Sequence, residues 1–418
     1  MVFTLREVRN LESVSRRLGY PVELVSEGAV TIVAPRREAY RRPDGVYEPA
    51  WAPVFYNPRM ALNRDISVLF LRVYSELHGL RDVVVFEPLT GSGIRAIRYA
   101  VEASAYVYAT DISAAAIRLA SLNAEINRVR DRVVLEVADA SEAMLRFSRR
   151  GIRPVLIDID PFGSPIPFLD AAIEALGARG VIAATATDTA PLSGTHPRAL
   201  RRKYDVVPGR TAWEKEQAVR ILAGYIIRRA AAHEYGAKVL LAYYSDYYVR
   251  VFVELRKGAR RADESLQELG YGAYCPSCNY TGYPGNEVKQ CPYCGARMVL
   301  VGPLYKGQLC DKDLVEAMRK LANSTSLAQK NRVERLLETL RQECSIEKPY
   351  YRLDRICSML RLSMPKIQEV VEELRRRGYQ ATRTHFDPRG FRTSAPHPIV
   401  INTVYELALK RGNTQRYE

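Results

Sequence analysis

Between residues 83 and 187 the chain alternates short apolar runs with helical segments, and this alternation constrains the fold most strongly. The apolar runs have strand length and lie at 83–89, 106–112, 133–140, 154–160 and 181–187. The segments between them, such as IRAIRYAVEA, have the apolar spacing of amphipathic helices. Continuous apolar strands separated by such helices are typical of a parallel sheet with helices on both faces.

The segment after the fifth run predicts a different end to the sheet. Two apolar strands, KVLLAYYSD and YYVRVFVEL, meet near Asp246 with only a few residues between them. So short a link joins antiparallel strands, because a parallel return needs a crossover of a dozen or more residues. We therefore expect an α/β fold that resembles the class I S-adenosylmethionine-dependent methyltransferases, with a Rossmann-like sheet ending in an antiparallel hairpin. A dinucleotide-binding Rossmann domain would end with another parallel strand instead.

The chain has 418 residues, for which two or three domains are expected. The predicted domains are an N-terminal appendage (1–50), a catalytic domain (51–257) and a C-terminal α+β domain (258–418). Within the last, we expect a cysteine module at about 272–298. A helix, turn, helix and β-hairpin at about 350–400 resemble a winged helix.

The formal net charge of +15 indicates a polyanionic partner such as nucleic acid. The alternative is a basic but inert surface. Basic clusters lie at 198–203, 256–261 and 375–377. No stretch reaches the roughly 18 uninterrupted apolar residues of a membrane span, and the N-terminus lacks the apolar core of a secretory signal. We expect a cytoplasmic location, no membrane association and no obligate protein partner.

A glycine-rich segment after the first run predicts a cofactor site. Gly91 and Gly93 follow a strand that ends at Glu87 and open a helix, where backbone amides approach a ligand closely. Asp111 ends the second strand, where a carboxylate accepts hydrogen bonds from both ribose hydroxyls of an adenosine. The Asp139–Ala140 pair ends the third strand, where it is placed to read the adenine edge.

The glycine pattern alone leaves alternatives open. Gly91-Ser-Gly93-Ile-Arg-Ala96 also fits the dinucleotide pattern G-x-G-x-x-A, and any tight turn uses glycine. A P-loop is excluded, because no G-K-[ST] follows. Acidic residues at three successive strand ends favour a nucleoside-containing ligand, since ligands of such folds bind at the carboxyl edge of the sheet.

The tetrad Asp160-Pro161-Phe162-Gly163 directly follows the fourth strand and indicates methylation of an exocyclic amine. The lone pair of such an amine is delocalised into the ring, so attack on a sulfonium methyl requires alignment. The Asp160 carboxylate is suited to accept one N–H and to stabilise the developing charge. The Pro161 carbonyl is suited to accept the other, and Phe162 offers a stacking face. The alternative is a proline turn with a core phenylalanine.

Six segments together resemble the archaeal Trm1-type tRNA (guanine-26 N2)-dimethyltransferases. They are FYNPRMALNRD, TGSGIRAIR, DIDPFGSP, TATDTAPLSGTHPRALRRKY, LAYYSDYYVR and RTHFDPRGFRTSAP, spread over most of residues 50–400. The resemblance implies transfer of one and then a second methyl group from S-adenosyl-L-methionine to N2 of guanine 26 in tRNA.

The resemblance also implies roles for individual residues. The family's catalytic aspartate corresponds to Asp160. Its cofactor-binding residues correspond to Arg64, Arg95, Asp111, Asp139 and Ala140. Arginines are suitable partners for the methionine carboxylate of the cofactor. The loop that contains Thr187, Asp188 and His196 resembles the wall on the substrate side.

Four cysteines form a C-x2-C–x12–C-x2-C pattern: Cys275, Cys278, Cys291 and Cys294. Four thiolates on two such pairs suit tetrahedral, structural Zn²⁺. A redox dithiol and an iron–sulfur cluster are the alternatives. Cys310, Cys344 and Cys357 lie outside the pattern and are predicted to be buried small apolar residues. No disulfide framework is expected.

Other functions remain open from the residues. One is an N2 or N6 methyltransferase that acts on another tRNA or rRNA position or on DNA adenine. Another is a non-catalytic zinc and winged-helix RNA-binding protein with a vestigial cofactor fold, which the complete tetrad argues against. A nucleotide-dependent oxidoreductase is disfavoured by the terminal hairpin.

Overall fold

The structure is a computed structural model that describes residues 10–285 and 288–414. Its N-terminal part contains α1 (Leu11–Leu18), the antiparallel strands β1 (Val22–Glu27) and β2 (Val30–Pro35), and α2 (Ala61–Leu77). Three short 3-10 helices lie between β2 and α2, at Arg37–Tyr40, Pro49–Trp51 and Pro58–Met60. Helix α1 begins where the Asn10 side chain accepts from the Ser13 amide and ends at Gly19 in the left-handed region.

The predicted strands and helices are present between residues 84 and 186. In chain order they are β3 (Val84–Glu87), α3 (Ile94–Glu102), β4 (Tyr106–Asp111), α4 (Ala114–Ile126), β5 (Val133–Val137), α5 (Ala140–Arg149), β6 (Leu156–Ile159), α6 (Ile166–Ala175) and β7 (Arg179–Ala186). The pairs β3–β4, β4–β5, β3–β6 and β6–β7 are all parallel. The interior strand β6 is buried throughout, as its continuous apolar sequence requires.

The antiparallel hairpin is confirmed. It follows α7 (Thr189–Leu192), α8 (Pro197–Tyr204) and α9 (Glu214–Ala232), and consists of β8 (Tyr235–Ser245) and β9 (Tyr248–Lys257). Asp246 forms the turn with a positive φ of 48°, a conformation that aspartate tolerates better than most residues. The sheet has the order β5-β4-β3-β6-β7-β9-β8. The predicted class I methyltransferase fold is therefore confirmed, and the alternative Rossmann ending is absent from the described strands.

The C-terminal part is mixed α and β, as expected. It contains α10 (Ala259–Gln267), the antiparallel strands β10 (Leu269–Tyr274), β11 (Thr281–Gly282) and β12 (Val299–Tyr305), then α11 (Lys312–Ser324) and α12 (Lys330–Glu343). The winged-helix-like order follows as β13 (Tyr351–Arg352), α13 (Leu353–Leu360), α14 (Ile367–Arg376), β14 (Ala381–Arg383) and β15 (Gly390–Thr393), before α15 (His397–Thr414). Leu353, Val370, Leu374 and Phe391 share one buried cluster there, because the apolar faces of both helices pack against the hairpin.

The chain divides into two compact units whose segments interleave along the sequence. One comprises the described residues up to Pro161 together with Pro167–Ala184 and Ala317–Arg335. The other comprises Phe162–Ile166, Thr185–Glu316 and the described residues from Leu336 onward. In the first unit, Val14, Val22 and Val33 pack against Leu119 of α4, so the N-terminal segment shares a core with the sheet helices. The domain boundaries drawn from sequence stay a prediction.

Two cysteines depart from the sequence expectation. Cys310 and Cys344 form a disulfide, 34 residues apart in the chain. Both were predicted to be free, buried small apolar residues, and this prediction is wrong because the fold brings their Cα atoms to 5.3 Å from each other. Cys357 is buried and free, as expected. No helix in the described part of the chain has the length and apolar character that crossing a membrane requires.

Candidate active site and metal centre

Acidic residues lie at the ends of three neighbouring strands of the first unit. Glu87 is the last residue of β3, Asp111 is the last of β4, and Asp139 lies two residues beyond β5. The Asp111 carboxylate accepts from the Gly91 and Ser113 amides, both at 2.9 Å. Because carboxyl ends of parallel strands meet at one edge, these acids share the edge at which such folds bind ligands.

Asp139 and Ala140 lie where β5 passes into α5. Asp139 is the N-cap of α5, and its Oδ1 accepts from the Ser141 and Glu142 amides at 2.9 and 3.0 Å. Ala140 begins the helix and is buried. These two hydrogen bonds fix the orientation of the Asp139 side chain at the point where the chain passes from β5 into α5.

The glycine loop between β3 and α3 has the backbone conformation that its sequence predicts. Gly91 and Gly93 have positive φ values of 53° and 78°. A Cβ atom at Gly93 would lie 2.7 Å from the Ala120 Cβ, and one at Gly91 would lie 3.1 Å from the Phe55 carbonyl oxygen. Glycine is therefore required both for the left-handed conformation and for close packing.

Arg95 lies at the centre of a buried cluster of acids in the same unit. Its Nη1 donates to Asp158 Oδ2 at 3.2 Å, and its Nη2 donates to the Asp160 carboxylate. Asn63 and Ser67 accept further bonds from Nη1, at 2.9 and 3.1 Å. The Arg95 guanidinium therefore binds the Asp160 carboxylate, which is the predicted catalytic group. Charge-assisted bonds of this kind are short and directional.

Glu87 lies at the edge of this cluster, with Oε1 3.9 Å from Arg95 Nε. Its Oε2 accepts from the Thr90 hydroxyl at 2.5 Å. Burial raises the pKa of Glu87 well above its usual value, against the opposing effects of Arg95 and Thr90. Burial therefore opposes the ionisation of Glu87, even though Arg95 lies beside it.

Arg64, the second arginine predicted to bind the cofactor, is paired within the protein. Its Nε and Nη2 donate to the two carboxylate oxygens of Glu27, both at 2.6 Å, and Nη2 also donates to the Asn57 carbonyl at 3.1 Å. Burial opposes ionisation of Glu27, but Arg64 and Arg98 lower its pKa to about 2. Both guanidinium groups predicted to receive the methionine carboxylate therefore already bind protein carboxylates, and their cofactor role stays a prediction.

The tetrad after β6 presents one side chain to solvent. Asp160 is 18% exposed in its side chain, whereas Phe162 is 68% exposed. A phenylalanine so exposed is not a core residue, which removes the main alternative reading of the tetrad. Gly163 has a positive φ of 78°, and it exchanges two hydrogen bonds with Thr187. Its amide donates to Thr187 Oγ1 and its carbonyl accepts from the Thr187 amide, both at 2.8 Å.

The four cysteines of the C-x2-C pairs come together in the second unit. Their sulfur atoms all lie within 4.8 Å of one another. The pairs Cys275–Cys294 and Cys278–Cys291 are each 3.5 Å apart, close to the roughly 3.8 Å expected between ligands of a tetrahedron with Zn–S bonds of about 2.3 Å. The donor set and its geometry therefore fit structural Zn²⁺.

The two cysteine turns have the same local structure. The Cys275 amide donates to the Tyr280 carbonyl, and the Cys291 amide donates to the Ala296 carbonyl, at 2.9 and 2.8 Å. The fifth residue of each turn has a positive φ, which is 62° at Asn279 and 71° at Gly295. Asparagine and glycine are the residues that adopt this conformation most readily. The turn that contains Cys275 and Cys278 and the turn that contains Cys291 and Cys294 therefore have equivalent backbone structures.

Comparison with known proteins shows the family of this chain. The family model for N2,N2-dimethylguanosine tRNA methyltransferase matches residues 35–405. The chain belongs to this family. A tRNA (guanine(26)-N(2))-dimethyltransferase from Pyrococcus horikoshii is 39% identical over 395 residues, which cover 92% of this chain and 98% of that relative. One from Metallosphaera sedula is 35% identical, over 94% of this chain and 98% of the relative.

A solved member of the dimethyltransferase family has the same fold. The complex of Trm1 from Pyrococcus horikoshii with S-adenosyl-L-methionine superimposes with a TM-score of 0.78 at 37% sequence identity. The match covers 91% of this chain and 99% of the other. The resemblance seen in the sequence is therefore confirmed.

Several residues that contact the predicted site residues were not predicted from the sequence. Asp158 is one, although a signal existed: it lies two residues before Asp160, and strand periodicity directs alternate residues to the same side. Glu27 is another, and no local signal identifies it, because it lies 37 residues from Arg64 in a separate hairpin. Thr187 was identified only as part of a loop, without its bond to Gly163.

Two of the three basic clusters are largely neutralised by neighbouring groups. In the cluster at 375–377, Arg376 and Arg377 donate to Glu373, and Arg375 donates to the Ala381 carbonyl. In the cluster at 256–261, the arginines donate to Glu254, Glu264 and the Lys257 carbonyl. These side chains are thus engaged within the protein.

Proposed function

We propose that this chain transfers one and then a second methyl group from S-adenosyl-L-methionine to N2 of guanine 26 in tRNA. Family membership and the names of the relatives support this activity. The observation that carries the proposal is the position of Asp160 directly after β6, with its carboxylate bound by Arg95. This is the position at which a strand end of the sheet presents an acceptor to a substrate amine.

The tetrad supplies the groups that the reaction needs. Asp160 accepts one N–H of the guanine amine and stabilises the positive charge that develops on nitrogen. The Pro161 carbonyl accepts the second N–H, so the lone pair is aligned for attack. Phe162 provides a stacking face, worth ~1–3 kcal/mol for an extruded base. Its high exposure leaves that face accessible.

The first unit has the features that a positively charged adenosine cofactor requires. S-adenosyl-L-methionine supplies an electrophilic methyl group when bound. Asp111 would bind the ribose hydroxyls, and Asp139 with Ala140 would bind the adenine edge. Asp158 and Asp160 together outweigh the single charge of Arg95, and this negative balance favours a cationic ligand.

The remaining predicted cofactor residues have related roles. Glu87, Gly91 and Gly93 would lie along the cofactor, with the glycine backbone in close contact. Arg64 and Arg95 would bind the methionine carboxylate, which would then share their donors with Glu27 and with the acids of the Arg95 cluster.

The test of the proposal is methyl transfer to unmodified tRNA with labelled donor, followed by mass spectrometry of the nucleosides. We expect mono- and dimethylated N2-guanosine from the wild type, and none when guanine 26 is replaced. Asp160→Ala should lose transfer and still bind the cofactor, as measured by calorimetry. Full activity in that variant would refute the catalytic role of Asp160.

Phe162→Ala provides a graded second variant. Loss of one stacking contact of ~1–3 kcal/mol predicts a roughly 5- to 150-fold fall in kcat/KM. Cofactor affinity should be unchanged, since the altered side chain would contact only the base. A variant with wild-type kcat/KM would exclude stacking on Phe162.

The same nucleoside mapping separates the other candidates. Methylation elsewhere in tRNA or rRNA, or on DNA adenine, would replace guanine 26 as the target. Absence of cofactor binding would favour a non-catalytic RNA-binding protein. The cytoplasmic location and the lack of an obligate protein partner remain predictions, as do the domain boundaries at 50 and 257.

A further inference from the structure

Helix α8 (Pro197–Tyr204) has a basic face and an apolar face. Arg198, Arg201 and Arg202 are all exposed. They are spaced at i, i+3 and i+4, so their side chains share one side of the helix. Leu200 and Tyr204, also four residues apart, are buried. The helix is therefore anchored by one face and presents three guanidinium groups on another.

These three arginines are not neutralised by any residue in the part of the chain that the structure describes. Among the described residues, none accepts a hydrogen bond or forms an ion pair with the side chain of Arg198, Arg201 or Arg202. Their neighbour Lys203 differs, since it pairs with Asp188 at 3.0 Å. The basic clusters at 256–261 and 375–377 also differ, because their arginines are bound to acids or carbonyls. A ligand that binds these arginines therefore does not have to displace an acceptor group of the protein itself.

Helix α8 is connected to Gly163 and Ser164 through partly buried hydrogen bonds within the second unit. The Tyr204 hydroxyl donates to Asp188 Oδ1 at 2.8 Å and lies 3.1 Å from Ser164 Oγ. Ser164 directly follows Gly163, which is bound twice by Thr187. The basic face is therefore held in a defined position relative to the backbone that presents Phe162.

We propose that the face formed by Arg198, Arg201 and Arg202 binds the backbone phosphates that flank the target nucleotide of the tRNA. This inference rests on the proposed function and names the contact that holds the strand while the base enters the site. Arginine binds phosphate through paired donors. Such contacts position the nucleic acid without reading its bases, so they govern affinity and not the choice of nucleotide.

The experiment measures the affinity of unmodified tRNA for the wild type and for Arg198→Ala/Arg201→Ala/Arg202→Ala between 50 and 200 mM salt. Each phosphate contact contributes roughly 0.7–0.9 to the slope of log K against log salt, so the variant slope should be smaller by about 2–3. The ratio of variant to wild-type Kd should shrink by roughly 16- to 60-fold over that range. Methylated product should still map to guanine 26.

Two control variants separate position from charge. Arg130→Ala/Arg149→Ala/Arg150→Ala removes the same charge from exposed positions in the first unit, and should retain most of the slope. Replacing the three α8 arginines by lysine retains the charge and should restore the salt dependence. Cofactor affinity and melting temperature, measured for every variant, identify any that fail to fold.

Neutral methylphosphonate linkages on either side of nucleotide 26 locate the contact. They should weaken the wild type and add little to the loss in the α8 alanine variant, since both changes remove the same interaction. Additive losses would overturn the proposal, as would a wild-type salt slope in the alanine variant. Failure of the wild type to methylate tRNA would instead refute the proposed function.

Discussion

Replacement of Arg95 by methionine tests how the buried acid cluster is stabilised. The substitution removes the charge and approximately conserves the volume. Asp158, which is fully buried, and Glu87, which is 3% exposed, would then lose their contacts with the Arg95 guanidinium. Asp158 would keep the hydrogen bond that the Tyr99 hydroxyl donates to it at 2.6 Å. A buried carboxylate without its cation is strongly destabilising.

The magnitude follows from the burial of the partners. Loss of one member of a buried ion pair costs about 3–5 kcal/mol, and Arg95 is 4% exposed in its side chain. For a unit of this size each kcal/mol corresponds to roughly 2–4 °C, so we expect the melting temperature to fall by about 6–20 °C. The melting temperature of Arg95→Lys should lie between those of the wild type and Arg95→Met. A single ammonium group cannot reproduce the contacts of the guanidinium with both Asp158 and Asp160.

The assay is thermal unfolding at pH 7, together with the double variant Arg95→Met/Asp158→Asn. The double variant removes the fully buried Asp158 carboxylate together with Arg95, so it should regain part of the stability lost in Arg95→Met. Unfolding of Arg95→Met within 2 °C of the wild type would show that Arg95 does not stabilise the buried acids. A further loss of stability in the double variant would show the same.

Three other predictions concern Glu27, the metal centre and the disulfide. The lowered pKa of Glu27 contributes stability that is complete above pH 4.5 and is lost as pH falls toward 2. The free energy of unfolding, measured by urea titration from pH 7 to pH 2, should therefore depend less on pH in Glu27→Gln, by about 3 kcal/mol. Elemental analysis should find one zinc per chain, lost in Cys278→Ser and retained in Cys357→Ala, which lies outside the cluster. Reduction of the Cys310–Cys344 disulfide, confirmed by peptide mapping, should lower the free energy of unfolding by up to about 4 kcal/mol, because the disulfide closes a loop of 34 residues. The melting temperature should fall as well, and an unchanged melting temperature would show that the disulfide contributes no stability.

Local sequence was sufficient to predict the strands, the hairpin and the cysteine centre. Strands β3 to β9 are rich in apolar residues, and the short link at Asp246 permits only an antiparallel return. The Cys275–Cys294 pattern specifies two similar turns, whose geometry depends on a few neighbouring residues. In each case the information lies within about 20 residues of chain.

The partners of the site residues were not predictable in this way. Arg64 and Arg95 were each identified as binding groups. Neither sequence position indicates that Glu27 binds the first or that Asp158 and Asp160 bind the second. The pairing of Cys310 with Cys344 was likewise missed.

The sequence by itself determined which elements form and which chemical groups stand at their ends, because hydrophobic periodicity and turn composition act over short distances. The tertiary structure decided which charges are buried together and that Phe162 is exposed. It also decided that Arg198, Arg201 and Arg202 of α8 have no partner within residues 10–285 and 288–414. Those outcomes depend on contacts between residues tens or hundreds of positions apart. Their energies come from desolvation and pairing in the folded chain, which no local pattern records.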